Sequence, residues 1–214
     1  YEMLRSLVGS EMCIRDSYFS ENPNIKSEKR KIKYAIEDKD FEFITDNGVF
    51  SKSKVDFGTD LMLKVFMKNF NSQEKLDILD IGCGYGVVSA VIKTFYPFLD
   101  ITLSDVNERA LELSEENLKN CNINEYSIIK SSAFDNISEK YNIILSNPPI
   151  RAGKEIIFKI YEGAYEHLRE EGEFYCVIQT KHGAKSTKKK LEEIFGNCDT
   201  LTIDGGYRIY RAKK

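Results

Sequence analysis

The sequence predicts a doubly wound α/β domain: a mainly parallel, seven-stranded sheet that ends in an antiparallel hairpin. Three observations predict it. From residue 77 onward, short apolar runs alternate with stretches of helical spacing, the pattern left by βαβ crossovers. A chain of 214 residues with 42% apolar and 30% charged side chains suits one core covered by helices on both sheet faces. At the C-terminus, the runs Asp199 to Ile203 and Tyr207 to Ala212 are joined only by Asp204-Gly205-Gly206. That link is far too short for a parallel crossover, so the last pair must be antiparallel.

Taken in order, Tyr1 to Ser17 show neither periodicity nor a secretory pattern, because Leu4 to Val8 is short and is broken by Arg5 and Ser6. The run from Ser6 to Ser17 looks like translated adapter sequence, and residues 1–17 are expected to be a non-native or disordered extension. Residues 18–57 are expected to form a small accessory element. Within it Lys31 to Ile36 and Phe41 to Thr45 alternate polar and apolar residues, and Asp46-Asn47-Gly48 is a turn signal, which together predict an antiparallel pair. Residues 58–214 are expected to form the main domain. It opens with Gly58-Thr59-Asp60 capping a helix that carries Leu61, Val65 and Phe66 and runs to about Phe70. Strands are predicted over Asp77 to Ile81, Asp100 to Leu103, Tyr126 to Ile129, Tyr141 to Leu145 and Glu173 to Ile178. Helical spacing joins most of them, as in Ala110, Leu111, Ser114 and Leu118, or Ile156, Ile160, Ala164 and Leu168. The basic cluster Lys185 to Lys190 opens a last helix and is read as a solvated face.

Composition narrows the function. No apolar run approaches the ~20 residues of a membrane-spanning helix, so no membrane partner is expected. Five cysteines (Cys13, Cys83, Cys121, Cys176 and Cys198) include no C-x-x-C pair, and the only two histidines are His167 and His182. These predict no disulfide framework, no metal site and a reducing cytoplasmic setting. With a net charge of −3, any contact with nucleic acid must use local basic patches.

The chemistry-bearing residues sit at strand ends. Leu76-Asp-Ile-Leu-Asp-Ile81 runs into Gly82-Cys-Gly-Tyr-Gly86 and then an apolar helix, so glycines stand at a strand-to-helix turn where a ligand can approach the backbone. The next strand ends at Ser104-Asp105, where a carboxylate in such folds accepts from ribose hydroxyls. These two features indicate an adenosine-type ligand and leave open a nicotinamide dinucleotide or S-adenosylmethionine. The fourth strand chooses. It ends in Asn147-Pro148-Pro149-Ile150, where two prolines remove backbone donors and free carbonyls while Asn147 adds an amide oxygen, a set that receives a planar amino group.

Asp80-Ile-Gly-Cys-Gly-Tyr-Gly86, Asp105 and Asn147-Pro-Pro-Ile150 resemble motifs I, II and IV of class I S-adenosylmethionine-dependent methyltransferases that modify exocyclic or amide nitrogens. More narrowly, Tyr18-Phe-Ser-Glu-Asn-Pro23, Asp46 to Lys52, Val55 to Thr59, Asn147 to Lys154 and Gly206-Tyr-Arg-Ile209 resemble small single-domain relatives of the ribosomal RNA small-subunit guanine-N2 methyltransferase C family. The resemblance implies that Gly82, Cys83 and Gly84 line the methionine end of the cofactor, with Asp80 bracing the loop. It also implies that Asp105 holds the ribose, that Val106, Ala133 and Phe134 enclose the adenine, and that Asp56 to Thr59 cover the cofactor. Asn147, Pro148 and Pro149 would be the catalytic residues, with Asn147 also beside the cofactor. Arg151 and Lys154 would contact phosphates of ribosomal RNA or the small subunit. Ile150-Arg151 stands where well-characterised members carry an aromatic residue and a histidine. A glutamine-amide methyltransferase, a non-catalytic cofactor- or RNA-binding module and, more distantly, a nicotinamide oxidoreductase remain as alternatives.

Overall fold

A computed structural model describes residues 25–214; the expectations for residues 1–17 and for Tyr18 to Pro23 lie outside them. The chain opens with an antiparallel pair, β1 (Arg30–Ile36) and β2 (Lys39–Thr45), in register from Arg30 opposite Thr45 to Ile36 opposite Lys39. The sequence reading placed a turn at Asp46-Asn47-Gly48. That turn exists, but the link between the strands is Glu37-Asp38, with Glu37 at φ 50°. A two-residue connection of this kind matches the twist of the strands it joins.

Asp46-Asn47-Gly48 has a different task, which is to tie the hairpin to the main body. Its Asp46 carboxylate accepts from Ser27 Oγ at 2.6 Å, Asn47 donates its backbone N–H to Asp46 Oδ1 at 2.6 Å, and the Gly48 carbonyl accepts from Asn107 Nδ2 at 2.8 Å.

The helix α1 (Phe57–Asn69) follows. Its N-cap is Asp56, two residues before the predicted Gly58, because the Asp56 carboxylate accepts from the N–H groups of Gly58 and Thr59 at 2.9 and 3.3 Å. The alternating body then runs β3 (Asp77–Ile81), α2 (Val87–Phe95), β4 (Asp100–Asp105), α3 (Glu108–Asn120), β5 (Ser127–Lys130) and β6 (Tyr141–Ser146). It continues with α4 (Lys154–His167), β7 (Leu168–Gln179), α5 (Ala184–Phe195), β8 (Asp199–Asp204) and β9 (Tyr207–Lys213).

The seven strands from β3 onward lie in the order β5-β4-β3-β6-β7-β9-β8. The first five pair in parallel and β9 joins β7 and β8 antiparallel, as the short Gly205-Gly206 link requires. Side chains alternate between two cores. Ile78, Leu103, Leu145, Tyr175 and Ile209 face one core with the first three helices and the β1–β2 pair, whereas Leu79, Ile144, Phe174 and Tyr210 face the other with α4 and α5. Chain order reverses between β3 and β6, the place where open α/β sheets bind ligands beyond their carboxyl ends.

Candidate functional site

At that reversal a cleft of about 740 Å³ opens over the carboxyl ends of β3, β4, β6 and β7. Its size falls in the range of cofactor and substrate pockets. One end is built by the loop Gly82 to Gly86. The N–H groups of Gly82 and Cys83 donate to the Ser104 carbonyl at 2.8 and 3.0 Å, which folds the loop over the end of β4. Gly82, Gly84 and Gly86 all take positive φ, at 73°, 57° and 86°. A Cβ on Gly82 or Gly84 would meet no protein atom within 4 Å, so the space beside them is open to a ligand, whereas one on Gly86 would press within 3.1 Å of Ser114.

Two carboxylates brace this end. Asp105 accepts from Gly84 N–H and Asn107 N–H, both at 2.9 Å; burial raises its pKa and those backbone donors oppose the rise. Asp80 is buried beneath the loop, where desolvation pushes its pKa up to about 7 against the bond it accepts from Ser89 Oγ at 2.7 Å. Burial likewise pushes the Cys83 thiol well above its usual range, so this cysteine packs as a neutral side chain. Val106 and Ala133 line the same end. Ala133 sits at φ 47° and is held there by Ser131 Oγ, which donates to its carbonyl at 2.8 Å. Phe134 is not part of the wall: it is buried in the core facing α4 and α5, stacked on His167 with ring centroids 4.6 Å apart.

The other end is built where β6 stops. Asn147 donates Nδ2 to Thr59 Oγ1 at 2.9 Å and to Asp56 Oδ2 at 3.2 Å, so the first turn of α1 fixes the amide. A carboxylate only accepts, which forces the amide nitrogen toward Asp56 and leaves Oδ1 with no donor among the described residues. The two proline carbonyls differ. That of Pro149 accepts from Ala152 N–H at 2.9 Å and closes a short 3-10 turn, whereas the buried Pro148 carbonyl has no donor among the described residues. This end therefore presents two open acceptors, one amide and one backbone. Arg151 stands on the cleft wall, and Lys154 opens α4 just outside it; neither forms an ion pair with a described residue.

Sequence reasoning brought together Asp80, Gly82, Cys83, Gly84, Asp105, Val106, Ala133, Asn147, Pro148, Pro149 and Arg151, all of which line the cleft. It missed Gln179, which ends β7, and His182, which follows it onto the same wall, and it gave no role to Tyr207. Their signal was positional: Gln179 is the polar residue at the carboxyl end of the strand next to β6.

A family model of the methyltransferase small domain matches residues 40–211. The protein YbxB of Bacillus subtilis (strain 168) is 41% identical over 201 residues, 93% of this chain and 98% of its own length. The ribosomal RNA small subunit methyltransferase C of Enterobacter sp. (strain 638) is 34% identical over 168 residues, which cover 77% of this chain but 47% of that protein. The chain thus spans about half the length of that relative. A solved T. thermophilus 16S rRNA N2 methyltransferase, in complex with AdoMet and guanosine, superposes with a TM-score of 0.77 at 22% identity, over 90% of this chain and 52% of that one.

Proposed function

Because the chain belongs to the methyltransferase small-domain family, we propose that its cleft transfers the methyl group of S-adenosylmethionine to an exocyclic amino nitrogen of RNA, namely guanine N2 of small-subunit ribosomal RNA. By fold it is a class I methyltransferase. The observation that carries the finer reading is the pair of open acceptors, Asn147 Oδ1 and the Pro148 carbonyl, at the end of β6.

The residues of the glycine-loop end fit this cofactor. Gly82 and Gly84 leave open space beside the backbone, and Asp105 offers a carboxylate to ribose hydroxyls, which would replace or share its bonds to Gly84 and Asn107. Cys83, Val106 and Ala133 supply apolar wall for the adenine and the methionine chain, and Asp80 holds the loop through Ser89. When bound, S-adenosylmethionine supplies a methyl group to a nitrogen nucleophile without a metal. Among the described residues no cluster of His, Cys, Asp or Glu could hold a metal ion.

The acceptor end positions the nucleophile. Hydrogen bonds from an amino group to Asn147 Oδ1 and the Pro148 carbonyl draw its two N–H bonds toward the protein and turn the nitrogen lone pair out of conjugation. Positioning of this kind supplies about 7 to 11 kcal/mol in favourable cases; the N–C bond would form as the sulfonium S–C bond breaks, S-adenosylhomocysteine would leave, and the surplus proton on the nitrogen would pass to solvent. A stacked base cannot reach two acceptors at the bottom of a cleft, so the target nucleotide is flipped out to enter it. Arg151 and Lys154, without ion-pair partners among the described residues, meet flanking phosphates.

The test is transfer of labelled methyl to three acceptors: protein-free small-subunit rRNA, assembled small subunits, and a glutamine-bearing protein substrate. The RNA is then digested to nucleosides and weighed. Label in N2-methylguanosine is expected. Label on a ring nitrogen, a ribose oxygen or a protein amide would remove the reading.

A further inference from the structure

Asn147 is one of two amides at the acceptor end. Gln179 closes β7, the neighbour of β6, and shares the cleft wall with Tyr207 at the start of β9. Asp56 orients the first, and Tyr207 the second. The Asp56 carboxylate already accepts from Gly58 N–H, Thr59 N–H and Asn147 Nδ2. The Tyr207 ring lies against the same turn: a Cβ on Gly58 would come within 2.9 Å of both the ring and Asp56 Oδ2. Burial and the nearby Asp56 charge raise the pKa of this phenol. Gln179 turns Nε2 to the Tyr207 hydroxyl, at 2.6 Å, and its Oε1 has no donor among the described residues. Asn147 thus spends its Nδ2 on Thr59 and Asp56, Gln179 gives an N–H to Tyr207, and each amide keeps its carbonyl oxygen for a ligand.

We propose that Asp56 sets the hydrogen-bond polarity of the Asn147 amide and that Gln179, held by Tyr207, determines specificity by accepting from a ring N–H beside the reacting amino group. This rests on the amine-transfer reading above. Three RNA bases carry an exocyclic amino group, and they differ in the neighbouring ring nitrogen. Guanine has an N–H there, whereas adenine and cytosine have a bare lone pair. Two carbonyl acceptors match the guanine edge, and against adenine or cytosine one carbonyl faces a lone pair, so the pocket rejects them by an unmade bond as well as by repulsion. Asp56 is a positioning residue in this scheme, acting through Asn147.

The experiment compares guanosine with 2-aminopurine riboside, which keeps the amino group but has no ring N–H beside it. Affinities are measured by ligand-observed NMR on the full chain saturated with S-adenosylhomocysteine. Guanosine should bind about tenfold more tightly, the worth of one hydrogen bond. Gln179→Leu should bring the ratio near one by weakening guanosine alone. Gln179→Glu, which restores an acceptor oxygen, should keep the preference. Asp56→Asn keeps a competent N-cap but can donate as well as accept, so the Asn147 amide is free to reverse, and both ligands should weaken while the ratio is kept. An unchanged ratio in Gln179→Leu, with guanosine still bound, overturns the specificity assignment and leaves amine transfer standing. Guanosine binding no tighter than unsubstituted purine riboside overturns the amine-transfer reading itself, and this proposal with it.

Discussion

The two ends of the cleft are built by different means. At the glycine loop the bonds of the two carboxylates are short in sequence: Gly84 meets Asp105 across 21 residues, Asp80 meets Ser89 across nine, and backbone N–H groups of the loop and of Asn107 serve the Asp105 carboxylate. At the acceptor end Asn147 meets Asp56 and Thr59 across 91 and 88 residues, and Gln179 meets Tyr207 across 28. The first end closes on itself and keeps a loop ready for a ligand. The second turns amide donors to the protein and leaves oxygens open. Under the proposed function, the carboxylates of the cofactor end are thus set by a local motif, and the site for the methyl acceptor is assembled by the fold.

The contrast can be broken first at the local end. Gly86 combines a φ of 86° with a Cβ path only 3.1 Å from the Ser114 backbone, so Gly86→Val should cost about 3 kcal/mol, a fall of roughly 6 to 12 °C in melting temperature. A melting temperature within a degree or two of the parent would mean that the loop is not the rigid element described. Next, Asp105→Ala should weaken S-adenosylmethionine binding by about 1.5 to 3 kcal/mol by calorimetry, the range for hydrogen bonds to a charged group. Unchanged affinity would take Asp105 out of the site.

A pH-dependent effect follows from Asp80. Its folded pKa of about 7 lies above the ordinary carboxyl value of 3.8, so the folded state holds a proton that the unfolded chain releases. The stability this contributes is complete below about pH 4 and is lost as the pH rises to 7. Asp105, shifted upward by burial, acts in the same direction. Urea midpoints of the ligand-free protein from pH 5 to 8 should decline less steeply in Asp80→Asn than in the parent, and parallel declines would contradict the assignment. The smallest expected effect is at the cleft mouth. Replacing Arg151 and Lys154 with alanine should weaken RNA binding uniformly and flatten its logarithmic salt slope by about 1.4, without changing which base is methylated. A salt slope equal to the parent's would remove the phosphate role.

The same contrast explains what could be read without the structure. β3 was legible to the residue, because Asp77 to Ile81 is an apolar run bounded by a turn motif. The seven strands and the antiparallel end followed from periodicity and link length, and the carboxylate at the end of β4 from its distance to the glycines. The cap of α1 was misplaced because Gly58-Thr59-Asp60 and Asp56 offer competing signals, and only the bonds to Asp56 decide between them. The hairpin turn was missed because Glu37-Asp38 lacks the glycine that usually marks a positive φ. Phe134 follows β5 as an adenine-pocket residue should, yet it turns into the core onto His167, a choice made by α4 packing and invisible in the local sequence. Gln179 carried only the positional signal of a polar residue at a strand end, and its pairing with Tyr207 across 28 residues is made by the fold.

The separation of the two ends is tested most directly by Asp105→Ala, Asn147→Ala and the double variant, each measured for S-adenosylmethionine affinity by calorimetry and for single-turnover methyl transfer at saturating cofactor. Asn147→Ala is expected to bind the cofactor nearly as the parent does and to lose at least ~100-fold in transfer, about 2.7 kcal/mol. Asp105→Ala is expected to lose affinity and to retain most of its transfer rate once saturated, with the two effects adding in the double variant to within about 0.5 kcal/mol. If Asn147→Ala weakened cofactor binding as much as Asp105→Ala while sparing saturated transfer, Asn147 would belong to the cofactor, and the division of the cleft into a cofactor end and an acceptor end would be wrong.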